Sequence, residues 1–164
     1  MLEDLIILNN YFTRLCIFLS SGFGIGYIKY APGTAGTFLG ILIFFLLTSL
    51  NIYFNILSLV IFVLVSIIIC NIANNYYSED DSKKIVLDEI AGVFVATYNI
   101  DPTAFNIIAI FILFRLFDIF KPFPISYIDE KLKNGIGIVV DDVVAGIYAN
   151  ITFLLASFYF VKIL

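Results

Sequence analysis

FRLFDIFKPFPI, from Phe114 to Ile125, decides how the rest of the chain is read. Arg115, Asp118 and Lys121 recur at intervals of three, so at the end of a helix they share one broad face. The run before them, Thr103 to Phe114, is almost wholly apolar and suits burial in lipid or protein. A charged side chain at a bilayer centre costs ~2.5–3.5 kcal/mol on insertion scales. Three of them in so short a stretch therefore belong at a membrane boundary or in a polar cavity, where ionisable groups point to chemistry.

The surrounding composition fits that reading. The chain of 164 residues is 62% hydrophobic and 13% charged, with a mean hydropathy of +1.05, far more apolar than a water-soluble domain. Tyr30 to Ser78 contain no charged side chain, enough for two spans of ~20 residues and a turn. The expectation is an all-α, integral membrane helical bundle with about five membrane helices plus an N-terminal interfacial helix. Its length suits one membrane-embedded domain over residues 1–164. The net charge of −4 resides largely in a few acidic clusters at helix ends, so nucleic-acid binding is not inferred. Cys16 and Cys70 both sit in apolar segments and read as packing thiols rather than a disulfide or metal pair.

Taken in order, residues 1–20 suit an interfacial or re-entrant helix, with Glu3 and Asp4 where a signal peptide would carry Lys or Arg. Ser21 to Thr37, SGFGIGYIKYAPGTAGT, reads as a glycine-broken loop. Spans are expected from Phe38 to Leu50, with a start as early as Thr34 possible on this pattern, and from Ile56 to Asn74, joined by Asn51 to Asn55. Tyr76 to Lys84 reads as an aqueous loop, with Glu79, Asp80 and Asp81 as solvated charges. A short apolar helix follows from Ile85 to Tyr98, then a turn, Asn99 to Pro102, with Pro102 suited to the first position of a helix Thr103 to Phe120. Lys121 to Gly137 reads as a polar loop, and Val139 to Val161 as the final span. Lys29, Lys83, Lys84, Lys121, Lys131 and Lys133 then fall on one side, which the positive-inside rule makes cytoplasmic.

VLDEIAG (Val86 to Gly92) and VVDDVVAG (Val139 to Gly146) each put two adjacent acids at the start of a helix. Either pair alone could be solvated carboxylates favoured by a helix dipole. Asp88, Glu89, Asp118, Asp141 and Asp142 together at one membrane depth would repel one another unless a cation bound there. Oxygen-only ligation and the absence of His suit Mg²⁺, or Mn²⁺, rather than zinc. Arg115 and Lys121 would pair with those acids or snorkel; beside a cation site they suit a phosphate, which a guanidinium grips bidentately. The hydroxyls and backbone N–H groups of APGTAGT, Thr34 and Thr37 included, could receive an anion at a helix start.

GYIKYAPGTAGT, IVLDEIAG, FRLFDIFKPFPI and GIGIVVDDVVAG, in this order and spacing, resemble the bacterial phosphatidylglycerophosphatase A family over about residues 22–146. The resemblance implies an inner-membrane, Mg²⁺-dependent enzyme, active site facing the cytoplasm, that removes the terminal phosphate of phosphatidylglycerophosphate, a membrane phospholipid. Thr37 stands where that family often has Ser. On this basis Asp88, Glu89, Asp118, Asp141 and Asp142 are the metal candidates, with Asp142, Asp118 and Asp88 catalytic, and Arg115, Lys121, Thr34 and Lys29 are candidates for the substrate phosphate.

Familiar phosphatase nucleophiles are absent by inspection. The chain has no His, no Asp-x-Asp pair, and no Arg six residues after either Cys. Water or an aspartyl nucleophile remains. Two other readings are a lipid-headgroup transferase, whose D-x2-D-G-x2-A-R signature is missing, and a small transporter or assembly subunit, for which charges near mid-span would be expected.

Overall fold

The computed structural model describes residues 2–49, 56–77 and 82–163, with side chains for 10–49, 56–77 and 82–159. All regular structure in these residues is helical: α1 (Leu2–Ser20), a 3-10 turn (Ile25–Tyr27), α2 (Pro32–Ser49), α3 (Ile56–Tyr77), α4 (Leu87–Ala96), α5 (Ala104–Phe120), α6 (Ile125–Lys131) and α7 (Gly135–Ile163). The turn expected at Asn51 to Asn55 and the acids Glu79, Asp80 and Asp81 lie outside the described residues.

Three described helices are long and apolar enough to cross a bilayer, Pro32–Ser49, Ile56–Tyr77 and Gly135–Tyr159, not the five expected. The difference lies mainly in α4. Its 10 residues rise only ~15 Å against ~30 Å of hydrocarbon. Its apolarity serves protein contact instead, since Leu87, Asp88, Ile90, Ala91, Gly92, Val93, Phe94 and Ala96 are all buried. A helix that is apolar all round is one enclosed by others. Helix α5, with 17 residues, also stops short of a perpendicular crossing.

The glycine-rich segment is corrected as well. Helix α2 begins at Pro32, a residue pre-set for a first helical position, so PGTAGT is helix rather than loop. Gly33, Gly36 and Gly40 recur on one face, and they allow close backbone approach rather than a break. A Cβ on Gly36 would sit 2.7 Å from Val86 Cβ, and one on Gly40 would approach Val93 Cγ1 to 2.5 Å. Pro102 lies outside α5, whose N-cap is Thr103; the Thr103 hydroxyl accepts from the Asn106 N–H at 3.3 Å. Within the expected polar loop, α6 is seated by the fully buried Ile125.

Helix α7 starts four residues earlier than expected, at Gly135, because the Asn134 side chain accepts from the N–H groups of Ile136 and Gly137, each at 3.1 Å. Asp141 and Asp142 therefore lie in its second turn, 5% and 4% exposed. Helix-dipole capping fades within the first turn, so it does not account for that pair.

Helices α4 and α7 run parallel in constant register. Asp88 meets Asp142 at one end, and Gly92 faces Gly146 in the middle. At the other end Asn150 Nδ2 donates to Ala96 O at 2.9 Å, 54 positions apart in sequence. Asn150 also donates to Tyr98 O at 2.9 Å, tying the turn after α4 to α7. The crossing depends on missing side chains: a Cβ on Gly146 would collide with the carbonyl oxygen of Gly92. Backbone cannot yield as a side-chain tip does. Gly146→Val is therefore expected to destabilise the protein by about 3 kcal/mol, read as a lower unfolding midpoint in detergent; an unchanged midpoint would contradict this packing.

Candidate active site

The parallel register delivers the acids to one place. Asp88 and Glu89 come from the first turn of α4 and Asp142 from α7, and one oxygen of each lies within 4.8 Å of the others. Asp88 is 7% exposed, and Glu89 Oε2 is buried with no hydrogen-bond partner. An orphaned carboxylate oxygen in a buried acidic trio is costly unless positive charge offsets it. The three side chains supply hard oxygen ligands, so the donor set fits Mg²⁺ or a similar cation.

The cationic side comes from α5. Arg115 Nη1 lies 2.5 Å from Asp118 Oδ2 one turn on, and 4.0 Å from Glu89 Oε1. It also donates to Thr37 Oγ1 at 3.3 Å. The Thr37 hydroxyl in turn donates to Gly33 O at 2.9 Å, which leaves its lone pairs toward the guanidinium. Gly33 leaves room here for Glu89 Oε1, which a Cβ on it would displace. Arg115 Nε is buried and unpartnered, a second sign that the arrangement has polar capacity to spare.

Lys121 occupies the C-cap of α5 in the left-handed region, φ 42° and ψ 58°, a conformation costing about 1 kcal/mol without glycine. Its Nζ lies 2.7 Å from Asp141 Oδ2 and 2.9 Å from Asp129 Oδ1. Burial alone would lower the Lys121 pKa, but hydrogen bonds to Asp129 and Asp141 outweigh it and raise the value above the usual range. Asp141 Oδ1 accepts from the Asp142 N–H at 3.0 Å, so both of its oxygens are engaged.

Of the residues expected from sequence, Asp88, Glu89, Asp118, Asp142 and Arg115 meet in this cluster, and Lys121 with Asp141 forms an adjoining pair. Thr34 is half-buried in the first turn of α2, and the hydroxyl that meets Arg115 is that of Thr37. Lys29 is exposed in the preceding loop, its ammonium 5.4 Å from the centre of the Tyr30 ring. Sequence reasoning missed Asp129, which the loop reading of Lys121 to Gly137 left without a partner. The helical signal that places it is the ISYIDEK run closing back on α7.

The family model described as phosphatidylglycerophosphatase A matches residues 18–157. The chain belongs to that family. The phosphatidylglycerophosphatase A of Haemophilus influenzae is 44% identical over 138 residues, covering 81% of this chain and 83% of the relative. The phosphatidylglycerophosphatase A of Escherichia coli is 30% identical over 130 residues, 79% of this chain and 76% of the relative. A Bacteroides thetaiotaomicron protein provisionally named a phosphatidylinositol-3-phosphatase is 37% identical over 145 residues, 84% of this chain and 90% of the relative. No solved structure matches. The phosphatidylglycerophosphatase A family is one of phosphatase enzymes, and its match takes in every residue of the acidic and cationic clusters.

Proposed function

We propose that this chain hydrolyses the terminal phosphate monoester of phosphatidylglycerophosphate, giving phosphatidylglycerol and inorganic phosphate, in the bacterial cytoplasmic membrane. The observation that carries the reading is the buried trio Asp88, Glu89 and Asp142 set beside Arg115 in a member of this family. Membership supports a lipid phosphate as substrate; the clusters support how it is handled.

The five acids divide their work. Asp88, Glu89 and Asp142 would hold Mg²⁺, which when bound would supply Lewis-acid polarisation of a phosphoryl oxygen. Asp118 holds Arg115 and Asp141 holds Lys121, so the two cations face the phosphate from fixed positions. Arg115 grips phosphoryl oxygens with its planar fork and Lys121 adds a point charge. Asp142 takes the proton of the attacking water as its oxygen bonds to phosphorus. The bond from phosphorus to the glycerol oxygen breaks, and that oxygen leaves with a proton from the medium. Charge spread over the phosphoryl oxygens is stabilised by groups already in place.

The helix directions support one orientation. Helices α2, α4 and α7 begin, and α3 and α5 end, at the cluster; the Tyr27 and Tyr77 hydroxyls, 2.8 Å apart, mark the same end. The lysines gathered there support a cytoplasmic site. Exposed apolar side chains such as Leu64, Ile68, Ile108, Ile112 and Ile119 suit lipid contact, so the diacylglycerol tails remain in the bilayer while the headgroup reaches the acids.

A substrate panel tests the assignment. Purified protein in mixed micelles with Mg²⁺ is expected to release phosphate from phosphatidylglycerophosphate faster than from phosphatidic acid or phosphatidylinositol 3-phosphate. Faster release from the inositol lipid would favour the activity named for the Bacteroides relative instead.

A further inference from the structure

We propose that Asp129 is the positioning residue of Lys121, setting its ammonium at the mouth of the site. This rests on the phosphatase reading, in which Lys121 meets the phosphoryl group.

The backbone of Lys121 has little freedom. Its N–H donates to Phe117 O at 2.9 Å, its φ is 42°, and Pro122 follows. From that fixed base the side chain meets two carboxylates that differ in character. Asp141 is the inner one, 7% exposed at its side chain, with one oxygen on Lys121 and the other accepting from the Asp142 N–H. Asp129 is the outer one, 30% exposed, on α6. An ammonium has three donors, so two carboxylates leave one free for a phosphate oxygen.

Asp129 sits on an element tied to the core. Ile125 buries α6 against the core, and the Tyr148 hydroxyl donates to Phe123 O at 3.2 Å just before it. Without the outer carboxylate, Lys121 would settle wholly onto Asp141 and away from an incoming headgroup. Removing a negative charge would by itself favour a phosphate dianion. At a position this exposed, however, that effect is screened, and loss of orientation dominates.

The test compares Asp129→Asn and Asp129→Glu with the unaltered full chain in mixed micelles. Two readouts are taken: kcat and KM for phosphatidylglycerophosphate with Mg²⁺, and the rate at which an amine-acylating reagent modifies Lys121, followed by mass spectrometry without substrate. Asp129→Asn is expected to raise KM about tenfold, the scale of one charged hydrogen bond, with kcat nearly unchanged. Asp129→Glu should recover most of the loss, and Lys121 should be acylated several-fold more slowly in the Asn variant than in the parent, because its amine is drawn onto the more buried Asp141. An unchanged KM and acylation rate in Asp129→Asn would overturn the proposal. So would a fall in kcat alone with no recovery in Asp129→Glu, the mark of a merely structural residue. A parent chain inactive on the lipid, with Lys121 acylation still responding to Asp129→Asn, would overturn the phosphatase reading while upholding the positioning of Lys121 by Asp129.

Discussion

Asp142→Asn is expected to lower turnover on phosphatidylglycerophosphate by about a thousandfold, the upper range for deleting one preorganised electrostatic group. The amide keeps the size and shape of the carboxylate, so packing against α4 is preserved. What disappears is one charge of a trio whose oxygens lie within 4.8 Å of one another and, in the proposed mechanism, the acceptor for the water's proton. Because like charges in a buried cluster repel, the folded state should be no less stable than the parent. Steady-state phosphate release together with an unfolding midpoint separates the two effects. Turnover within a few-fold of the parent, from a folded variant, would remove Asp142 from the mechanism.

Arg115→Ala is expected to combine a loss of activity of about a thousandfold, as for other cations that stabilise a transferring phosphoryl group, with real destabilisation. Arg115 is the partner of Asp118 and lies 4.0 Å from Glu89, and all three side chains are at most 16% exposed. Deleting one partner of a buried pair leaves charge uncompensated, at about 3 kcal/mol. Arg115→Lys separates the two contributions. It restores a cation and so most of the stability, but an ammonium cannot span Asp118, Thr37 and a phosphate oxygen as the planar fork does. Equal recovery of stability and activity in Arg115→Lys would argue against bidentate phosphate recognition.

Much of the site was legible because its charges stand out against an apolar chain. Arg115, Asp118 and Lys121 share a helix end, and the acid pairs mark helix starts. A further signal was present in the letters themselves: Val86-x-Asp88-x-Ile90-Ala91-Gly92 and Val140-x-Asp142-x-Val144-Ala145-Gly146 carry the same spacing. This is the shared face of two parallel helices, with each Asp one turn from the Gly that lets the backbones touch. The spacing also singles out Asp142, rather than Asp141, as the partner of Asp88.

What could not be read arose from ambiguity in the same residue types. Glycine was taken as a breaker at Gly33 and Gly36, whereas in α2 it makes room for Glu89 and Val86. Hydropathy cannot distinguish lipid contact from protein contact, so the enclosed α4 passed for a membrane helix. The short α6 was hidden between prolines and glycines, and with it the Lys121 to Asp129 ion pair. Thr34 and Thr37 both offered hydroxyls, and only the helix start at Pro32 decides which one faces Arg115.

The central claim is that the buried trio holds a divalent cation that phosphate release requires. The most direct measurement is the dependence of phosphate release from phosphatidylglycerophosphate on divalent ion, using purified protein in detergent micelles whose fold is monitored throughout. The account predicts saturable activation by Mg²⁺, activity abolished by excess chelator and restored by re-addition of the ion. Full activity in excess chelator, from protein that remains folded, would contradict it.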